Sequence, residues 1–266
     1  MNTKTEQFIL ALSPNAVISK STHWLVVGCL ISFALFLWNF GPSALVPRPG
    51  ETVSAFGELV ANQALFVELK TSVLTNVEVI LISTVLTLFF SYATVLPLMR
   101  PVAYAISKGR FLGLTGLTFL FTVLIGGGHT LKISLMVFGV SVFFTTAMTA
   151  VIKEIPKEEY DHARTLGMSE WRVVYEVVVL GKLDQVFEML RQSAAIGWMM
   201  LAMVEGIVRS EGGLGAMLLN ENKHLKLDAV FAIQLTILFI GLSQDYVIGF
   251  IKNIACPYAN LNLERK

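Results

Sequence analysis

Long apolar runs alternate with short polar connections along this chain. A helix needs about 20 residues, and at least about 17, to cross the ~30 Å hydrocarbon core of a bilayer. Six runs approach or exceed that length, and the third, which is short, is expected to begin earlier, within residues 102–107. The runs cover residues 24–40, 73–96, 111–125, 133–152, 186–208 and 229–251. The pattern predicts an all-α integral membrane protein with about six transmembrane helices.

A polar island, residues 153–184, separates the fourth run from the fifth and predicts a helix, a sharp turn and a second helix. Pro156 suits a first helical turn, where its missing N–H costs nothing. Gly167 stands where a helix commonly ends in a left-handed residue, and Ser169 can cap the helix that follows. An apolar stripe at helical spacing consists of Tyr160, Ala163 and Leu166.

The composition places the chain in the membrane class. Of its 266 residues, 55% are hydrophobic and 15% are charged, and the mean hydropathy of +0.67 is too high for an ordinary soluble domain. The net charge of +1 carries no nucleic-acid signal. The polar island mixes five basic with seven acidic residues. A lipid anchor would be mostly basic, so the island is either a protein-docking surface or a solvated loop.

The distribution of positive charge predicts the orientation in the membrane. With the N-terminus in the cytoplasm, 13 Lys and Arg residues lie inside and 6 outside, while Arg191 remains at the inner start of the fifth run. Lys132 is among the six counted outside. The inside excess favours cytoplasmic N- and C-termini and a cytoplasmic polar island.

The predicted organisation is one membrane domain with short cytoplasmic ends. Residues 1–23 form a cytoplasmic N-terminal segment, residues 24–255 the transmembrane domain, and residues 256–266 a cytoplasmic tail. A signal peptide is the alternative for the first run, but the polar leader is long and residues 41–43 are a poor cleavage site. The first run is therefore predicted to be a retained span.

The chain lacks the motifs of enzymes that bind nucleotides or metals. It has no G-x-x-x-x-G-K-[ST], no G-x-G-x-x-G after a strand and no H-E-x-x-H. Cys29, Cys256, His129 and His162 do not fall at metal-ligand spacing, so no metal and no cofactor is expected. If ATP drives this protein, a separate subunit must bind the nucleotide.

Ionisable and small residues in the spans are candidates for transport. Glu78, Glu205 and Asp245 qualify because an ionisable group in a bilayer usually faces protein or a water-filled cavity. Glu205 either contacts solute or a gate, or accepts a structural hydrogen bond from the following loop. The fifth run is rich in small residues and Met, which suits helix packing or a translocation path at a dimer interface. The candidates for the path are Ser193, Gly197, Trp198, Met200, Met203 and Glu205.

The segment DHARTLGMSEW, residues 161–171, resembles the EAA loop of the membrane subunits of bacterial ABC importers, especially the nitrate, sulfonate and taurine branch. In that family the loop forms a coupling helix that enters a groove of the cytoplasmic ATPase. Asp161 stands for the family's glutamate, His162 and Ala163 for its two alanines, and Gly167 for its glycine. The resemblance implies ATPase-coupling roles for Tyr160, Asp161, His162, Ala163, Arg164, Leu166, Gly167 and Trp171.

Further stretches resemble the same family, although the chain departs from it in places. The resemblance covers residues 45–255 and includes EGGLG, residues 211–215, which is similar to the family's SSGLG, and AMVEG, which places an acid at position 205. His162 replaces a small residue, and Leu180 and Asp184 occupy the places of two family prolines.

The resemblance implies a type I importer permease in the bacterial inner membrane. It moves a small solute such as nitrate, a sulfonate, taurine or bicarbonate by alternating access. The implied partners are an ATPase subunit that binds ATP and Mg, a periplasmic or lipid-anchored solute-binding protein, and a second permease subunit, expected to be a copy of this chain. The alternatives are a solute of the riboflavin or thiamine-precursor type, an ion-coupled secondary transporter, and an assembly protein that has lost transport.

Overall fold

A computed structural model describes residues 20–40, 46–62 and 65–257, and within these residues the chain is helical with no strand. Residues 1–19 of the predicted N-terminal segment 1–23 and residues 258–266 of the predicted tail 256–266 lie outside the described residues. Three 3₁₀ turns, Pro97–Met99, Gly109–Phe111 and Arg209–Glu211, and one π-helical stretch, Val174–Leu180, connect the α-helices. The α-helices are α1 Lys20–Phe40, α2 Pro49–Asn62, α3 Leu65–Ala93, α4 Arg100–Lys108, α5 Leu114–Ile125, α6 His129–Lys153, α7 Lys157–Thr165, α8 Glu170–Val173, α9 Leu183–Ile207, α10 Leu214–Lys223 and α11 Leu227–Ala255.

The helical membrane fold predicted from the sequence is confirmed. Four of the described helices, α1, α3, α6 and α11, are long and apolar enough to cross a bilayer. A fifth span is obtained if α4 and α5 are counted together. The predicted fifth run forms α9, which has 25 residues but carries four charged side chains, Asp184, Glu188, Arg191 and Glu205. Helix α9 is therefore long enough to cross a bilayer but less apolar than the other four spans.

The third predicted span is not one continuous helix. The chain bends by 114° between the segment Pro97–Phe111 and α5, so the expected extension into residues 102–107 belongs to the separate helix α4. Gly113 precedes α5 with an extended backbone (φ −71°, ψ 131°). Hydropathy alone could not reveal this bend, because the pattern of apolar residues carries no information about the angle between successive helices.

The centre of the bundle is formed by α3, α6, α9 and α11. Its main cluster of buried side chains includes Val79, Leu135, Val140, Leu201 and Ile233. Large apolar side chains also cover the outside of the spans, as expected of helices whose outer faces meet lipid. Apolar side chains therefore occur on both faces of a span, and the inner face is distinguished by its packing against other helices.

Helix α3 turns its polar side chains inward. It buries Ser72, Asn76, Ser83 and Thr87, while apolar side chains such as Leu81 and Phe89 are exposed. Hydroxyl and amide groups inside a membrane bundle can bond across helices, and Thr145 Oγ1 donates to Thr87 Oγ1 at 3.3 Å.

The short helix α2 begins at Pro49 and turns only part of its apolar surface towards the bundle. Val53 and Phe56 are exposed, whereas Val60 packs against the main buried cluster. The buried side is formed by Thr52, Ala55 and Leu59. Small side chains on this side let α2 lie close to α11, while Val53 and Phe56 line a mostly apolar groove between these two helices.

Candidate functional site

The polar island folds into the predicted helix–turn–helix. Helix α7 begins at Lys157, and Pro156 precedes it as the N-cap with an extended backbone (φ −68°, ψ 148°), one position earlier than predicted. Glu158 and Glu159 occupy its first turn, where they favour the positive end of the helix dipole. Ser169 takes the predicted N-cap position of α8, although its side chain makes no capping hydrogen bond.

A glycine ends α7, as the sequence predicts. Gly167 has φ +77°, the left-handed conformation that glycine adopts at least cost. Gly167 N donates to Arg164 O at 2.9 Å, and Met168 N donates to Ala163 O at 3.4 Å. These two bonds form the Schellman arrangement of a helix C-terminus. An added Cβ would meet no described atom within 4 Å, so the constraint on this position is φ and not space.

Arg164 joins α7 to α8 across this turn. Its Nε and Nη2 donate to the two carboxylate oxygens of Glu170 at 2.9 and 3.0 Å, and its Nη1 donates to Asp161 Oδ1 at 2.9 Å. The hydrogen bonds that Arg164 donates, first to Glu170 and second to Asp161, raise the pKa of Arg164. The Arg164 guanidinium in turn lowers the pKa of Glu170. All three side chains are exposed, so the arrangement fixes the turn without adding much stability.

The inner side of α7 rests on the ends of two spanning helices. Ala163 is buried, and half-buried Tyr160 packs with a cluster that contains Ile152, Ile155 and Val178. Tyr92, at the end of α3, belongs to the same cluster. Burial, and then the charge of Glu159, raise the pKa of the Tyr160 hydroxyl. A displacement of α7 would therefore act directly on α3 and α6.

The outer side of the island is exposed and carries large apolar side chains. Leu166 is 63% exposed and Trp171 is 71% exposed. Asp161, His162, Arg164 and Gly167 are exposed as well. The predicted coupling residues therefore divide into six that face outward and two, Tyr160 and Ala163, that seat the helix. The sequence interpretation gave no role to Tyr175, which is also exposed and apolar.

The second helix of the island continues towards α9 through a π-helical stretch. Gly181 ends that stretch, and a Cβ there would lie 2.6 Å from Val177 O. Leu180 and Asp184, which replace the family prolines, lie at the end of the π-helical stretch and in the first turn of α9. Lys182 Nζ lies 3.2 Å from Glu159 Oε1 and connects this end to α7.

The predicted path residues lie on α9 but on different sides of it. Ser193, Gly197, Trp198 and Met200 are buried within the chain, whereas Met203 is exposed, like Met199. The tight packing expected of small residues is present, because a Cβ on Gly139 of α6 would lie 2.7 Å from Met200 Sδ. Trp198 Nε1 donates to Gln244 Oε1 at 2.5 Å, which ties α9 to α11.

Glu205 forms the centre of a fully buried polar network. Its Oε1 lies 2.8 Å from Lys132 Nζ, and both side chains have no exposed surface. Ser72 Oγ donates to Glu205 at 2.8 Å, and Gly215 N donates to Glu205 Oε2 at 2.9 Å. The contact with Lys132 is an ion pair, because Lys132 Nζ makes no hydrogen bond among the described residues. Lys132, counted above as an outer loop charge, is therefore a buried residue of α6.

The glycine turn after α9 closes over this network. Gly213 has φ +108°, and a Cβ on it would collide with the Glu205 carboxylate. Gly213 N donates to Glu68 Oε2, and Leu214 N donates to Ser72 Oγ at 2.8 Å. Sequence reasoning missed Lys132 and the α3 members. The hydroxyl and amide residues recurring on one face of α3 were the available signal.

The other two intramembrane acids are also paired. Glu78 lies 3.3 Å from His129 Nε2, and both are half exposed. Asp245 receives two bonds from Arg191, at 2.8 and 2.6 Å. Within residues 20–40, 46–62 and 65–257 no group of three potential metal ligands comes together.

Comparisons with known proteins place these features in a family. The family described as "Binding-protein-dependent transport system inner membrane component" matches residues 62–252. One relative is a protein of Methanocaldococcus jannaschii whose name assigns it, by inference, as an ABC transporter permease protein. It is 24% identical over 165 residues, which cover 60% of this chain and 56% of the relative. The taurine transport system permease protein of Escherichia coli is 30% identical over 115 residues, which cover 42% of this chain and 41% of the relative. The matched region thus spans about half the length of these relatives.

Proposed function

The chain belongs to the family of binding-protein-dependent transport system inner membrane components, and on this premise we propose that it is the permease subunit of an ATP-driven importer. Members of the family are transporters and not enzymes, and this chain is a multi-pass membrane protein. The observation that carries the proposal is the exposed helix–turn–helix of residues 157–180, which is rigidly seated on the spanning helices.

ATPase docking is assigned to the outward side of this segment. Leu166 and Trp171 provide apolar contact area, and the charged groups around Arg164 provide orientation. Exposed aromatic and aliphatic side chains within a polar surrounding are typical of protein interaction sites. The ATPase binds ATP and Mg, and this chain needs no cofactor of its own.

The proposed coupling is mechanical. Nucleotide binding draws two ATPases together and displaces α7, and the cluster around Tyr160 transmits the movement to α3 and α6. The permease pair has two conformations, and the ATPases shift the population between them because they bind the two unequally. A second copy of this chain completes the path, and a solute-binding protein delivers solute to the outer face.

The path is proposed to follow the exposed side of α9. Met199 and Met203 face out from the chain there, and Trp198 lines the neighbouring groove. Ser193, Gly197 and Met200 lie on the buried face of α9 and pack it against the bundle, and Glu205 fixes its outer end.

The proposed solute is a small organic or inorganic oxyanion compound, with taurine and other sulfonates preferred to nitrate and bicarbonate. The support is the partial match to a taurine transport system permease protein. The proposed location is the bacterial cytoplasmic membrane, with residues 1–23 and 256–266 and the polar island on the cytoplasmic side.

Replacement of Gly167 tests the proposal. Gly167→Leu forces a branched side chain into φ +77° and disrupts the end of α7. We expect the variant to insert in the membrane at normal abundance but to lose ATPase association and solute uptake. The measurement is a pull-down of the tagged chain from solubilised membranes, with identification of the co-purifying ATPase, beside an uptake assay.

Gly126→Leu is the matched control, because Gly126 also has a left-handed backbone (φ +95°) but follows α5, away from the island. It should retain ATPase association. Unchanged association and uptake in Gly167→Leu would overturn the coupling role.

A further inference from the structure

A groove of about 520 Å³ lies between α9 and α11. Its walls are mostly apolar and include Ala195, Trp198 and Gly241, and it contains two polar regions. Gln234 forms one of them, and Arg191 with Asp245 forms the other, about three turns further along α11. The volume falls in the range of sites for small ligands, which combine apolar walls with a few convergent polar groups.

The charged pair indicates what this side of the groove faces. Arg191 lies about two turns inside α9, and Asp245 lies about three turns before the end of α11. Their side chains are nevertheless 32% and 43% exposed. Ionisable groups in spanning helices face protein or a water-filled cavity, because hydrocarbon does not solvate them. This end of the groove therefore opens to water or to protein and not to lipid tails.

Both members of the pair have bonding capacity left. Arg191 donates through Nε and Nη2 to Asp245 and through Nη1 to Glu188 at 3.4 Å. A guanidinium has five N–H donors, so one on Nη1 and one on Nη2 have no partner among the described residues. Each Asp245 oxygen accepts one of these bonds and keeps a second lone pair. A ligand can therefore bind both groups without breaking the pair, whose geometry is already fixed.

The charge balance selects among small solutes. Arg191, Asp245, Glu188 and Lys252 are joined in one chain of ion pairs and sum to zero. A simple anion would leave a net negative charge beside the mostly apolar walls of the groove, where unbalanced charge costs more than in bulk water. A molecule that carries both an anionic group and an ammonium keeps the balance.

We propose that the groove between α9 and α11 binds a short zwitterion, with its oxyanion group on Arg191, its ammonium on Asp245 and its carbon chain against Trp198. The inference rests on the proposed function, since it names the class of solute that passes along α9. It favours an amino sulfonate such as taurine over nitrate, bicarbonate and sulfonates without an amine.

Equilibrium binding to the full chain in lipid nanodiscs of phosphatidylethanolamine and phosphatidylglycerol tests this site. The probes are radiolabelled taurine and ethanesulfonate, which keeps the oxyanion but lacks the ammonium. Since a hydrogen bond to a charged group changes affinity by about tenfold or more, we expect taurine to bind at least about tenfold more tightly than ethanesulfonate.

Asp245→Asn should remove this preference by weakening taurine about tenfold while ethanesulfonate binding is retained. Ser243→Ala is the matched control on the same helix, because Ser243 is exposed, does not line the groove and, among the described residues, bonds only to the backbone of Phe239. It should keep the wild-type ratio. Ala195→Leu fills the groove at an exposed position and removes none of its charged groups. It should abolish binding of both probes.

The site is overturned if wild-type protein shows no saturable taurine binding, if ethanesulfonate binds as tightly as taurine, or if Ala195→Leu leaves binding intact. Dissociation of a chain dimer by Ala195→Leu would also overturn it, by showing that a second copy fills the groove. ATPase co-purification is measured on the same preparations. If the ATPase co-purifies but taurine does not bind, the site alone is rejected. If no ATPase co-purifies with the wild-type protein, the proposed function is rejected.

Discussion

Lys132 and Glu205 are the most completely buried charged pair among the described residues. Such pairs add little net stability, because the attraction between the charges mainly repays their loss of hydration. Their effect is on specificity, since the pair accepts one arrangement of α6, α9 and the turn that contains Gly213. The end of the bundle that carries this turn is thereby held in one geometry.

Removal of one charge from this pair should be strongly destabilising. Glu205→Gln keeps the shape of the side chain but leaves Lys132 buried without a counter-charge, which costs about 3–5 kcal/mol. We expect a lower midpoint of thermal unfolding in nanodiscs, and the double variant Lys132→Met/Glu205→Gln should recover much of the loss. Glu78→Gln is the control, because Glu78 is half exposed beside His129. Equal midpoints for Glu205→Gln and Glu78→Gln would contradict this account.

The helices of the polar island were the most predictable elements. Their ends depend on local chemistry, and Gly167, Glu158 and Glu159 lie where short-range rules place them. The 114° bend before α5 and the orientation of α2 were not predictable in this way. Both depend on which helices lie alongside, and hydropathy carries no information about direction.

The contact between α6 and α9 depends on a glycine at position 139. A Cβ there would lie 2.7 Å from Met200 Sδ, and a flexible Met can make room for an alanine. Gly139→Leu should separate the two helices and destabilise the protein by about 1–3 kcal/mol, as overpacking generally does. Thermal unfolding measures this effect. Gly116→Leu in α5 is the matched control, because an added Cβ meets no described atom within 4 Å there, and a similar loss in both variants would contradict the argument.

For the molecule as a whole, the sequence specified that the chain crosses a membrane but not which residues form its centre. Apolar side chains suit both the core and the lipid, so Leu81 and Phe89 face outward while Ser83 and Thr87 are inside. The same ambiguity affected the site. Arg191 appeared as a charge left over at the start of a span, and only the fold brings it against Asp245.

The orientation of the whole chain can be tested with single cysteines. Ser169 and Ser210 are exposed and flank α9, whose 25 residues extend about 37 Å. In a background without Cys29 and Cys256, a membrane-impermeant maleimide should label Ser210→Cys in intact cells and Ser169→Cys only after permeabilisation. The reverse pattern would contradict the proposed cytoplasmic position of the island.

The buried network around Glu205 has a consequence for which substitutions this chain can accept. A substitution that removes the acid at position 205 leaves the ammonium of Lys132 buried without a counter-charge. A substitution that removes the lysine does the same to the carboxylate of Glu205. Gly213 cannot acquire a side chain while the carboxylate is present, because the two would occupy the same space. We therefore expect substitutions at these three positions to occur together, because each single change leaves a buried charge unpaired or a steric clash.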